Sequence, residues 1–371
     1  MIIKEITKRL YRRLELYRYV LLAKDGLGAK VYRGLTWLLL PLLNTAPVLN
    51  SRFMNHRNRE GKTLKALFDE AQTKEIGGGK NLLRCYLWYH IVPWEYELYD
   101  FKKQTHRQRL SWLSDADRYM CCDLKMGSEP YEVLKNKYSF YNLAKPFYKR
   151  GIFVYAGSAH DEGLSKFLST YRCVFVKPLS GSLGRDTFVV DSKADTIEGA
   201  REKLRGGGEW MLEEKIVQCA DMAAWNESSV NTVRIPSFVT NEGWYVLQPF
   251  FRTGRKGQIV DNAGAGGILS VINVETGILE TDGFDERHHS YVVHPDSQKV
   301  YKGWQVPKWQ ELLQLTEQIH RSLPSQFRYV GFDFALTADG WDLIEANWGQ
   351  FVGQIAAKKG VKKEFDQYIG L

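Results

Sequence analysis

The stretch Tyr329 to Gln350, YVGFDFALTADGWDLIEANWGQ, constrains this chain more than any other. Apolar and polar residues alternate on either side of Ala338-Asp339-Gly340, as in a β-hairpin with a short glycine-containing turn. With those three residues as the loop, Thr337 pairs with Trp341, and counting back along both arms sets Asp333 opposite Glu345. Side chains alternate between faces, so Asn347 shares the face of Glu345 and lies across from a bare Gly331. Phe332, Phe334, Ile344 and Ala346 form an apolar set for a core on the other face. Two facing carboxylates about 5 Å apart repel unless a cation lies between them. Asp333, Glu345 and Asn347 offer hard oxygen donors, which suits Mg²⁺ bound jointly by the protein and a nucleotide's phosphates. A solvated polar hairpin face has the same composition, so the rest of the chain must choose.

A chain of 371 residues, 44% of them hydrophobic, can bury one large core or two to three smaller ones. Its five cysteines include no CxxC pair, and Cys121 and Cys122 are neighbours, so we expect reduced thiols, a cytoplasmic chain and no zinc site. No secretory leader pattern is present. The charge is uneven: residues 1–60 carry twelve Lys/Arg against four Asp/Glu, which accounts for the whole net charge of +8. Ile3, Ile6, Leu10, Leu14, Tyr17 and Leu21 recur at helical spacing with Lys8, Arg9, Arg12, Arg13 and Arg18 between them. A second apolar segment follows Gly26-Leu27-Gly28 and includes Leu35 to Leu43, too short to span a bilayer and interrupted by Pro41. Residues 1–50 therefore suit an anionic membrane surface, or a helix docked on the protein's own core with its basic residues solvated, which is the commoner arrangement. The basic residues match no nucleic-acid-binding module.

Further along, Thr63–Glu75 reads as helix, and Gly77-Gly78-Gly79 breaks it. Asn81–Trp94 reads as buried strand or helix, and Phe101–Leu113 as a solvated helix. His90 and His106 lack ligand-like spacing and read as structural or surface residues. From Asn136 the pattern sharpens. A short helix ends at Gly151, and a strand Ile152–Tyr155, a helix Glu162–Thr170 and a strand Cys173–Pro178 follow. Leu179–Asp186, with Ser180, Gly181 and Ser182, then turns back into Phe188–Val190. Such a loop suits a flap whose N–H groups close over phosphate oxygens, although Gly-Ser turns are also ordinary loops; there is no Walker A sequence. Lys177 ends its strand with an apolar stem and an ammonium near that flap. After a helix Ala194–Arg205, the strand from Trp210 runs out through Glu213-Glu214-Lys215-Ile216, a hinge whose backbone can meet adenine. Strands Thr232–Val239 and Trp244–Phe251 bring Arg234 and Arg252 to one sheet facing the final hairpin, and a helix Trp309–Ser322 precedes that hairpin.

This ordered set resembles the ATP-grasp superfamily. It comprises Lys137, Lys177-Pro178 with its flap, the EEKI hinge, Arg234 in NTVRI, Asn262 before Gly266-Gly267, and Asp333 with Glu345 and Asn347. The likeness is to the group associated with sugar transfer and surface-polysaccharide loci, through Asn231-Thr-Val-Arg234, Val260-Asp-Asn262, His294-Pro-Asp296 and the hairpin, over about residues 130–355. It implies an α/β (α+β) fold of two subdomains clamping ATP, behind a basic helical N-terminal region. The expected divisions are 1–75 basic helical, 76–130 a preceding segment, 131–225 the small subdomain and 226–371 the large one. By that resemblance Lys137, Lys177, Ser180, Gly181 and Ser182 would contact phosphates. Glu213, Glu214, Lys215 and Ile216 would meet adenine, and Asp221 the ribose. Asp333, Glu345 and Asn347 would hold Mg²⁺, with Arg234, Arg252 and Asn262 around the γ-phosphate and the carboxylate being activated. The implied reaction joins a carboxylate to an amine through an acyl phosphate. A phosphotransferase and a non-catalytic nucleotide-binding accessory protein are the alternatives. Asp282–Asp296, carrying His288, His289 and His294, reads as solvated loop and turn cap, or as part of an acceptor pocket.

Overall fold

The computed structural model describes residues 14, 16–38, 79–180, 186–205, 208–261, 266–349 and 351–371. The helix expected at Thr63–Glu75, most of the N-terminal amphipathic pattern, Pro41, Gly181, Ser182 and Asn262 lie outside them. Contacts divide the chain into two units: one up to Gly127 together with the C-terminal residues after Gly349, the other Ser128–Gly349.

The first unit is helical among the described residues: α1 (Leu27–Leu38), α2 (Gly79–Tyr89), α3 (Pro93–Leu98) and α4 (Asp115–Met126). The segment from Asn81 is thus helix, ending at His90, whose φ of +58° turns the chain. The helix expected over Phe101–Leu113 does not form. Only Phe101–Lys103 and His106–Arg109 are helical, because Phe101 and Trp112 are both buried and the polar middle folds outward between them. Arg109 closes this bend by donating to the Phe101 carbonyl at 2.6 and 3.0 Å.

The second unit begins with α5 (Glu129–Lys135) and α6 (Lys137–Ala144), whose N-cap Asn136 accepts from the Tyr138 and Ser139 N–H groups. A four-stranded antiparallel sheet follows in the order β1 (Ile152–Tyr155), β4 (Trp210–Glu214), β2 (Cys173–Pro178), β3 (Phe188–Asp191). Helices α7 (Asp161–Thr170) and α8 (Ile197–Arg205) bury Leu164, Leu168, Ala200 and Leu204 against its Val174, Val176 and Leu212. A short helix, α9 (Ala220–Ala223), leads into an eight-stranded antiparallel sheet. Its strands are β5 (Thr232–Val239), β6 (Trp244–Val246), β7 (Phe250–Thr253), β8 (Ile268–Val271), β9 (Gly283–Phe284), β10 (Ser290–Tyr291), β11 (Tyr329–Thr337) and β12 (Gly340–Asn347). The order is β10-β9-β8-β7-β5-β11-β12, with β6 paired to β5. The single strand expected over Trp244–Phe251 is therefore two. Gln248, at φ +52°, and Pro249, which has no N–H to donate, break the ladder, and Arg252 lies within β7. Helix α10 (Trp309–Ser322) buries its own Leu312, Thr316, Ile319 and His320. His320 takes a hydrogen-bonding distance of 2.7 Å to Ser237 of β5. The last two helices, α11 (Gly353–Ala357) and α12 (Lys362–Ile369), belong to the first unit.

The terminal hairpin reaches its expected central register by a different route. Its tip is tighter, with Thr337 opposite Gly340 and only Ala338-Asp339 between them. A bulge at Ile344 then restores the count, so Asp333 does face Glu345 and Gly331 does face Asn347. Between tip and bulge the faces are exchanged. Leu343, not Ile344, lies opposite Phe334 and is fully buried, whereas Asp342 pairs with Ala335 and joins the face of Asp333.

Candidate active site

Strand alternation sorts the large sheet. Val233, Ile235, Phe332 and Phe334 point into the apolar core. Thr232, Arg234, Arg252, Asp333, Asp342, Glu345 and Asn347 share the opposite face through direct cross-strand pairing. Arg234 is the centre of that face. Its Nε donates to Asp333 Oδ1, its Nη2 to Asp333 Oδ2 at 2.6 Å, and its Nη1 to Asn347 Oδ1 at 3.0 Å. Arg252 brings Nη2 to within 3.1 Å of the same Asp333 Oδ2 and donates from Nε to Thr232 Oγ1 at 2.9 Å. Burial alone would raise the Asp333 carboxyl, but the two guanidiniums outweigh it and hold the group below the usual range. Gly349 lies tight against this fork, and a Cβ there would push Arg234 Nη1 and Asn347 Oδ1 out of place.

Two residues that sequence reasoning left out complete the face. Asp261 is buried, accepts from the Thr232 N–H at 3.1 Å and lies 3.6 Å from Arg252 Nε, so it backs the arginine from behind. Burial pushes its carboxyl up despite the Arg252 charge. Arg150, just ahead of β1, is buried too. It donates from Nε and Nη2 to Glu213 Oε2 at 3.1 and 2.9 Å, and from Nη1 to Asp342 Oδ2 at 2.9 Å. The same guanidinium meets the Leu343 and Ile344 carbonyls at 2.7 and 3.3 Å, clamping the bulge that sets Glu345. It thereby joins the small sheet to the large one. The only sequence sign of Arg150 is a charge where a strand begins. Asp342 was hidden because an unbulged count puts it on the wrong face.

The lysines stand as follows. Lys177 is buried on β2, with Nζ 2.6 Å from Glu213 Oε1. Lys137 donates to the Pro178 carbonyl at 3.1 Å and lies within electrostatic reach of Lys177, Glu213 and Glu345. Burial lowers its pKa, Lys177 adds to that effect, and the two carboxylates oppose it. The Glu213 carboxylate is therefore committed to Arg150 and Lys177. Burial raises its pKa, the two cations overcome that, and the group is held low. Glu214 accepts from the Gly151 N–H at 3.1 Å, Lys215 is exposed with its N–H bonded to the Cys173 carbonyl, and Ile216 is half-buried. Ser180 is exposed and bridges to Asn136. Asp221 is exposed on α9.

The Asp282–Asp296 segment is folded on itself. Asp285 accepts from the Arg287 and His289 N–H groups, from Tyr291 Oη at 2.9 Å, and pairs with His289 Nδ1 at 2.9 Å. His294 is fully buried, with Nε2 3.0 Å from the Gly254 carbonyl. Its Nδ1 accepts from the Asp296 and Ser297 N–H groups. It caps a turn.

The donor chemistry suits a hard cation. Glu345 is half-exposed, Asn347 offers an amide oxygen, and Asp333 spends three of its roughly four lone-pair positions on arginine N–H groups.

A family model described as sugar-transfer associated ATP-grasp matches residues 127–368. The chain belongs to that family, and its mixed helix and antiparallel-sheet architecture is the ATP-grasp fold. No curated protein sequence matches the chain. Solved structures similar to it include D-alanyl-alanine synthetase A from Vibrio cholerae O1 biovar eltor (11% identity, 63% of this chain and 60% of that one, TM-score 0.37). Another is the ADP-complexed N5-carboxyaminoimidazole synthetase from Staphylococcus aureus (12% identity, 66% and 54%, TM-score 0.43). The chain thus spans less than two thirds of the length of these proteins. The assignment rests on the family match.

Proposed function

We propose that this protein is an ATP- and Mg²⁺-dependent carboxylate–amine ligase. It would join an amino acid or another amine to a sugar acid or peptide of cell-envelope polysaccharide synthesis, on the cytoplasmic side of the membrane. One observation carries the reading. Arg234, buried, and Arg252, half-buried, converge on Asp333, on the sheet face that also presents Glu345 and Asn347, with Lys137 within electrostatic reach. The substrate carboxylate attacks the γ-phosphorus of ATP, ADP leaves, and an acyl phosphate forms. The amine then adds to the acyl carbon and inorganic phosphate departs, leaving an amide. Such chemistry needs position and charge rather than a nucleophilic side chain.

In this reading Arg252 and Arg234 offer planar forks to the carboxylate and the transferring phosphoryl group, where a lysine would offer only a point charge. Lys137 and Lys177 meet the phosphates, together with Ser180 and the sequence-assigned Gly181, Ser182 and Asn262. Glu213 orients Lys177 and leaves adenine to the hinge backbone at Glu214–Ile216, with Asp221 toward the ribose. Glu345, Asn347 and the free acceptor capacity of Asp333 would hold Mg²⁺, which supplies neutralisation of phosphate charge.

The test is ¹⁸O transfer. With a carboxylate substrate labelled in both oxygens, the released phosphate carries one label, and ADP accumulates beyond one equivalent per enzyme only when carboxylate and amine are both present. A stable phosphorylated product with unlabelled phosphate would instead establish a phosphotransferase, and binding without turnover an accessory protein.

A further inference from the structure

Helix α1 has a face that nothing among the described residues covers. At about 100° per residue, Leu27, Leu38, Val31 and Leu35 fall in that order within an arc of roughly 80°. They are 80%, 67%, 53% and 54% exposed. Trp37, 61% exposed, flanks the stripe. The opposite side is anchored. Ala29 is fully buried, Arg33 pairs with Asp25, and Thr36 Oγ1 accepts from Trp88 Nε1 at 3.2 Å. The apolar stripe is thus held outward by a fixed inner face rather than exposed by fraying. It is also a concentration: seven of the sixteen large hydrophobics that are exposed among the described residues fall between Leu14 and Leu38.

Charge identifies the occupant. The exposed ionic side chains described on this segment, Lys24 and Lys30, are both basic. Its one described acid, Asp25, is engaged by Arg33 and His106. Residues 1–60 carry the entire net charge of +8. An apolar helical stripe with an edge tryptophan, set in a basic segment, matches an anionic bilayer surface, where rings and aliphatic chains enter the interface and lysines face the headgroups. No helix among the described residues is long and apolar enough to cross a membrane. We propose that α1 docks this protein flat on an anionic lipid surface, with Leu27, Val31, Leu35, Trp37 and Leu38 inserted. The proposal stands apart from the ligase reading, since α1 takes no part in the candidate active site.

The experiment is co-sedimentation of the full chain with phosphatidylglycerol–phosphatidylcholine vesicles and with phosphatidylcholine alone, at low and high salt. Wild type should bind the anionic vesicles, at least tenfold more tightly than the neutral ones, and lose affinity as salt rises. Val31→Glu/Leu35→Glu, at exposed positions, should cut that binding at least tenfold with an unchanged melting temperature. The milder Val31→Ser/Leu35→Ser should cut it in the same direction if the glutamates prevent folding. Trp37→Phe should remove most of the fluorescence quenching produced by brominated lipid. Equal binding by wild type and the Val31/Leu35 variants, or no binding by wild type, overturns the proposal. So does a wild-type dimer that the same variants convert to monomer, because the stripe would then be covered by a second copy.

Discussion

Replacing Arg150 by methionine tests whether one buried guanidinium holds the two sheets of the second unit in register. Methionine keeps much of the stem's volume and removes the fork. Glu213 then keeps only Lys177 as a cationic partner, and Asp342 keeps only the Lys149 N–H at 3.0 Å. Two carbonyls at the Ile344 bulge also lose a donor. Breaking a buried ion pair by deleting one partner typically costs about 3–5 kcal/mol, because the survivor is left charged in a poor solvent. Here both carboxylates retain one contact, so we expect about 4 kcal/mol rather than the sum over two pairs. For a unit of about 220 residues that corresponds to a drop of roughly 8–16 °C in melting temperature. Scanning calorimetry reads it directly. Asp342→Asn, which keeps an acceptor and removes a charge, should cost less. The double variant should fall short of additivity by about 1–3 kcal/mol, since the two groups share one contact. A melting temperature for Arg150→Met within about 3 °C of wild type, or strict additivity, would refute the clamp.

Glu345→Gln should abolish Mg²⁺-dependent turnover at an unchanged melting temperature; wild-type rates at limiting Mg²⁺ would remove Glu345 from the metal site. Arg234→Lys should keep ATP affinity in calorimetry while turnover falls on the order of a hundredfold, since a point charge cannot span Asp333 and Asn347 together. Loss of ATP binding would count against that assignment. Burial pushes His320 down to about 4, so the folded chain takes up its proton well below the unfolded chain, which does so near pH 6.5. Stability contributed by the neutral ring is complete above pH 6.5 and lost as pH falls toward 4, by about 3 kcal/mol in all. Urea midpoints at pH 7 and pH 4.5 should therefore converge in His320→Gln; an unchanged pH dependence would show that another group carries it.

What was legible in the sequence was local. The boundaries of β2, β5 and α10 follow from periodicity and from turn residues within a few positions of each end, and the structure keeps them. The hairpin is more instructive, because its central pairing was read from a loop one residue too long. Asp333 faces Glu345 only because the bulge at Ile344 returns the residue that the tighter turn takes away. A period-two pattern reports which residues alternate, not where one of them is skipped. Leu343 and Asp342 were accordingly exchanged between core and site. The Phe101–Leu113 segment failed differently. Its composition suits a solvated helix, but the burial of Phe101 and Trp112 at its two ends outweighs the propensity of the polar middle.

The ion pairs of the site could not be read at all, for a reason that follows from their geometry. Arg150 lies 63 positions from Glu213 and 192 from Asp342, and Arg234 lies 99 from Asp333. No local rule links charges so far apart, so the sequence does not say which carboxylate each arginine meets. Burial makes the pairing obligatory once the fold forms, because a single guanidinium left without partners in the sheet would cost more than the strand that carries it contributes. A motif-level reading therefore finds the hairpin residues Asp333, Glu345 and Asn347 and the strand arginines Arg234 and Arg252 that share their face. It misses Asp261 and Arg150, which hold those groups from outside the strands. Asp261 behind Arg252, and Arg150 beneath the bulge, act on the candidate site only through the groups they hold, so their substitution should reach the chemistry by displacing Arg252 and Glu345.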